Sequence, residues 1–131
     1  MQKSPKRSEY LLLSRGKWDP QKSPEEIQQA IDDFYTWHAK LVDEGKFMAG
    51  YRLTTEGKLV SSLGVIDGPF TETNEVIGGY WFVVADSLEA AAAIAADSPC
   101  LACGLSYEIR PLEFERATAW RVTNETPARG G

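Results

Sequence analysis

The spacing of apolar and polar positions changes several times along the chain, and each change marks an element. Tyr10-Leu11-Leu12-Leu13 is a short apolar run of the kind that forms a strand buried on both faces. After a loop from Gly16 to Lys22 the period becomes helical, with Ile27, Ile31, Phe34 and Leu41 on one stripe. The start of this helix is strongly marked. Ser23 suits the N-cap, Pro24 suits the first helical position, and Glu26 can close a capping box. Gly45 is placed to stop it. Phe47 to Leu53 then reads as a strand, Thr54-Thr55-Glu56-Gly57 as a hairpin turn, and Lys58 to Ile66 as the paired strand. Asp67-Gly68-Pro69 ends that strand in a turn.

Val76 to Ala85 follows as a long strand, with Tyr80, Phe82 and Val84 on one face and Trp81 and Val83 on the other. Ser87 caps an Ala-rich helix, Leu88 to Ala96, which stops before Pro99. Leu105 to Phe114 supplies a last strand. The order β-α-β-β-β-α-β predicts a ferredoxin-like α+β fold with an antiparallel sheet, two helices on one face and one added hairpin strand. The domain spans residues 10–116, between a flexible N-terminus (1–9) and a flexible C-terminal tail (117–131). Two helices cover one face of the sheet, whereas the strands offer apolar groups to both. A second copy of the same sheet is the expected cover, so the chain is expected to form a homodimer.

Composition narrows the functional classes. A chain of 131 residues holds one domain with a real core, and its 43% hydrophobic and 25% charged residues are ordinary for a globular protein. A net charge of −5 lacks the basic patch that a nucleic-acid partner requires. The N-terminus carries positive charge without the apolar segment of a signal peptide, and no run approaches the roughly 20 apolar residues of a membrane span. A cytoplasmic location without membrane contact is the expectation.

The sequence holds no phosphate-binding, dinucleotide or nucleophile-elbow glycine motif. Cys100-Leu101-Ala102-Cys103 is too short of ligands for a zinc site. It also follows a helix, whereas redox pairs precede one, so reduced, non-catalytic thiols are expected. No metal and no cofactor are implied.

His38 is the single histidine, and it falls on the apolar stripe of the first helix, facing the sheet. Burial lowers an imidazole pKa and a nearby carboxylate raises it, a balance suited to acid–base work near neutrality. A core histidine bonded to a carbonyl or an interface group fits the same position. Asp67 can serve as the acid beside it or simply stabilise its own turn. Phe70, Tyr80 and Trp81 suit an apolar substrate pocket, or else core and dimer interface. Arg110 either binds an anionic substrate group or pairs with a local acid.

The stretch Asp67-Gly68-Pro69-Phe70-Thr71-Glu72-Thr73-Asn74-Glu75, with Gly78-Gly79-Tyr80-Trp81 and Glu108-Ile109-Arg110-Pro111-Leu112, resembles the YCII-related proteins, specifically their DGPF-motif subgroup. Asn74 stands where the subgroup usually has Lys. The likeness runs from about Tyr10 to Phe114. It implies a dimeric α+β barrel. It also implies that His38 matches the family histidine and Asp67 its acid. Related proteins include a dehydrochlorinase of an aromatic catabolic route, and some members carry an old label connecting them with transcription. Two functional expectations result. One is a cofactor-free lyase or isomerase of small organic molecules, with His38 as acid or base and Asp67 orienting it. The other is a non-catalytic dimeric module that binds a ligand or a protein, with transcriptional influence exerted through a protein partner.

Overall fold

A computed structural model describes residues 8–68 and 76–128. The chain runs β1 (Ser8–Arg15), α1 (Pro24–Asp43), β2 (Phe47–Arg52), β3 (Lys58–Ser61), β4 (Gly64–Asp67), β5 (Ile77–Ala85), α2 (Leu88–Ala95), a short 3₁₀ helix (Pro99–Cys103) and β6 (Ser106–Pro111). Four strands form one antiparallel sheet in the order β2-β5-β1-β6. With β3 and β4 set aside, that is the ferredoxin-like arrangement.

Local chemistry explains the ends of α1. The Glu26 backbone N–H donates to Ser23 Oγ at 3.1 Å, and the Ser23 N–H donates to Glu26 Oε1 at 3.0 Å, completing the capping box. Beyond the helix Gly45 takes φ 76°, a left-handed conformation that glycine adopts without strain, and its N–H donates to Val42 O at 3.0 Å. In the second helix Ser87 Oγ accepts from the Ala90 N–H at 3.0 Å.

Alternation in the central strands then divides the molecule into layers. Tyr10, Leu12 and Ser14 of β1 and Gly79, Trp81, Val83 and Ala85 of β5 are buried, and the register sets Tyr10 opposite Val83 and Leu12 opposite Trp81. Phe34 and Leu41 of α1 and Ala91 and Ala95 of α2 join these residues in one core. Leu12 and Val83 are 0% exposed, and burial of such side chains contributes roughly 1.5–3 kcal/mol each. The opposite face carries two rows across the sheet: Met48, Phe82, Leu11 and Arg110, then Tyr51, Tyr80, Leu13 and Glu108. No element among the described residues packs over them. Leu11 and Leu13 are therefore half-buried, and the expectation of a strand buried on both faces holds for one face of the single chain.

One expectation is corrected. Lys58 to Ile66 is not a single strand paired with residues 47–53. The chain turns at Ser62 and Leu63 and pairs with itself, Leu59 opposite Ile66 and Val60 opposite Val65, as a separate two-stranded ribbon. Ser61 Oγ accepts from the Leu63 N–H at 3.2 Å, and Gly64 takes φ 125°, so the reversal is built from a serine turn and a glycine. β2 pairs instead with β5. After β6, residues 112–128 form neither helix nor strand, and Arg121 ties this stretch together by donating to Glu115 at 2.7 Å. Among the described residues no helix is long and apolar enough to cross a membrane.

Candidate functional site

A cleft open to solvent lies between α1 and the covered face of the sheet. The helix contributes Ile31, Phe34 and Tyr35, three residues whose spacing turns them toward one side. Four strands each add one group: Ser14 from β1, Arg52 from β2, Trp81 from β5 and Tyr107 from β6. Trp18, Cys100 and Leu105 complete the lining from the connecting segments. The Phe34 and Trp81 rings meet at 5.2 Å between centroids, and Tyr35 meets Phe34 edge-on at 5.6 Å. Most of the wall is thus flat and aromatic.

Arg52 is the one charged side chain in this lining. It ends β2 opposite Gly79, and it forms no ion pair among the described residues. Two further polar groups remain neutral. Burial pushes the Tyr107 phenol up to about 12, although its 2.7 Å hydrogen bond with Ser98 Oγ pulls the other way. Burial likewise raises the Cys100 thiol, against smaller lowering effects from Ser98, Tyr107 and Arg52. Cys100 and Cys103 are both free and buried, with their sulfurs 3.9 and 4.0 Å from the backbone carbonyl oxygens of Ala30 and Glu26. They tie the 3₁₀ helix to α1. Among the described residues no group of three His, Cys, Asp or Glu side chains could hold a metal ion.

The residues singled out from sequence scatter around this cleft. Trp81 lines it. Tyr80 lies on the opposite sheet face, its ring 6.3 Å from Tyr51 and 6.2 Å from Phe82. Arg110 lies on that face too, donating to Glu108 at 3.1 Å, so it has the local acid partner that was one of its two readings. Phe70 lies outside the described residues. Asp67 ends β4 with its side chain 79% exposed and ion-paired with Lys58. His38 does face the sheet, stacked on Phe34 at 5.7 Å and edge-on to Phe47 at 5.3 Å. Its Nε2 is buried without a hydrogen-bond partner among the described residues, and it is not part of the cleft lining. His38 and Asp67 are therefore not hydrogen-bonded to each other through Nε2.

Burial lowers the His38 pKa below its ordinary value, because the aromatic surroundings disfavour the imidazolium. The unfolded chain then binds more protons than the folded one in the window below the ordinary histidine value. Stability contributed by neutral His38 is present above that value and is lost as pH falls through the lower folded pKa. Thermal melts between about pH 5 and 8 are expected to show a decline toward acid that is smaller in His38→Phe. An unchanged slope in the variant would remove this role for His38.

The family model for the YCII-related domain matches residues 9–114, nearly the whole described domain. The chain belongs to the YCII-related family. An uncharacterized protein of Rhizobium meliloti (strain 1021) is 36% identical over 97 residues, which cover 69% of this chain and 78% of that relative. In this YCII-related domain the groups that sequence reasoning passed over are Arg52, Ser14, Trp18 and Tyr107. One local signal pointed toward them. Gly78-Gly79 interrupts an otherwise bulky strand, and glycine inside a strand often marks a place where another group approaches closely.

Proposed function

We propose that this YCII-related protein binds a small organic molecule in the cleft between α1 and the sheet, and that it works as a homodimer. The observation that carries this reading is the joint presence, in one open cleft, of aromatic walls and an arginine that forms no ion pair among the described residues. Pockets for small ligands are mostly apolar, with a few placed polar groups that fix orientation. The tryptophans report on it directly. Titration with a set of small aromatic acids, alcohols and amines is expected to shift the indole N–H resonances of Trp18 and Trp81. Trp120, 94% exposed after β6, is expected to stay in place. A Trp18 and Trp81 pair that responds to none of the set would sink the proposal.

A second reading keeps His38 as a proton donor or acceptor in an elimination or isomerisation. Its buried, unpartnered Nε2 favours that reading, since a buried polar atom without a partner costs about 1–3 kcal/mol and persists where function requires it. The acid would then have to reach His38 from outside its present contacts with Phe34 and Phe47. The ligand-binding reading needs no such rearrangement.

A further inference from the structure

We infer that the cleft selects a flat, largely apolar molecule carrying a single carboxylate, with Arg52 as its charge partner and Gly78 as the bare floor beneath the charged end. This rests on the ligand-binding reading above and adds the chemistry of the ligand. The chain holds 19 acidic against 14 basic residues, so carboxylates are plentiful. Lys58 and Arg110 each pair with one, and Arg121 with two. Arg52 does not, among the described residues.

Geometry gives this guanidinium a place to act. A Cβ built on Gly78 would stand 3.8 Å from Ser14 Oγ and 3.9 Å from Arg52 Nη2. Two donors thus flank one small gap that exists because residue 78 has no side chain. A guanidinium offers a planar fork that matches a carboxylate. The remaining lining supplies no second charge: Trp18, Ile31, Phe34 and Trp81 are uncharged, and Tyr107 and Cys100 remain protonated at neutral pH. One cation calls for one negative charge, because a second would find no partner in the lining and would add to the net negative charge of an already acidic protein. The aromatic walls favour a flat body behind it.

Calorimetric titration with 2-naphthoate and its neutral counterpart 2-naphthylmethanol separates the claims. The wild-type protein is expected to bind 2-naphthoate about tenfold or more tightly than the alcohol. Arg52→Gln is expected to erase the difference while keeping the binding of the alcohol. Gly78→Ala adds a methyl group with ordinary contacts, so the fold accepts it, yet it fills the gap between the two donors. It is expected to weaken 2-naphthoate selectively. Equal affinity of the wild type for both probes, or a preference that survives both substitutions, overturns the carboxylate inference and leaves the ligand-binding reading standing. Failure of both probes to bind wild type overturns the reading beneath it as well.

Discussion

Gly50→Ala is expected to destabilise the domain by about 3 kcal/mol or more and to lower its melting temperature by roughly 10 °C. A Cβ at this position would collide with the Tyr80 carbonyl oxygen and stand 2.7 Å from its carbonyl carbon and 2.9 Å from Trp81 Cα. All three atoms are backbone of β5, a central strand paired on both sides. No side chain can swing away to relieve the contact. The register between β2 and β5 already shifts between Met48 and Tyr51, so Gly50 sits at an irregularity where the two backbones approach closely. Relief requires β2 to separate from β5, and Arg52 would leave the cleft with it. Gly45 provides a control, because nothing lies within 4 Å of its Cβ position and its substitution meets only the φ of 76°. Its effect is expected to be about 1–2 kcal/mol. Thermal unfolding of both variants checks the contrast, and a Gly50→Ala protein that melts within a degree or two of wild type would refute it.

Phe82→Glu is expected to convert the proposed dimer into a folded monomer. Phe82 lies in the apolar row between Met48 and Leu11 on the open sheet face, and it is only half-buried in the single chain. The monomer core, on the other side of the sheet, does not depend on it. In a symmetric dimer the substitution would place two unpaired carboxylates in a desolvated apolar surface. Burial of such charges costs several kcal/mol, so the loss corresponds to roughly a thousandfold in dimer affinity. Sedimentation at micromolar concentration should resolve dimer from monomer, with circular dichroism reporting the retained fold. Wild-type protein that sediments as a monomer would overturn the dimer itself. A Phe82→Glu protein that remains dimeric would move the interface away from this face.

The reach of sequence reasoning followed the range of the interactions. The capping box of Ser23 and Glu26 spans three residues, and it formed with the partners its spacing implied. The alternation of β5 was equally clear: Trp81 and Val83 are buried, and Tyr80 and Phe82 turn the other way. The family membership drew on the same kind of contiguous pattern, and the family model covers residues 9–114. The pairing of Lys58 to Ile66 was not legible in this way, because its apolar period suits a long strand as well as two short ones. Ser61 and Gly64, which reverse the chain between them, look ordinary in a polar surface segment.

The cleft lies at the other end of that range. Arg52, Ser14, Trp81 and Tyr107 come from four strands, and they meet because the sheet order is β2-β5-β1-β6. Nothing within one strand states its neighbours, since any alternating segment can pair with several others. Register makes the same point for single residues. A slip of one position would turn Trp81 to the open face and Tyr80 into the core. Helix starts, strand faces and family were thus set by chemistry between near neighbours in the chain. The companions of Arg52, the stacking of His38 on Phe34 and the open sheet face were set by long-range packing.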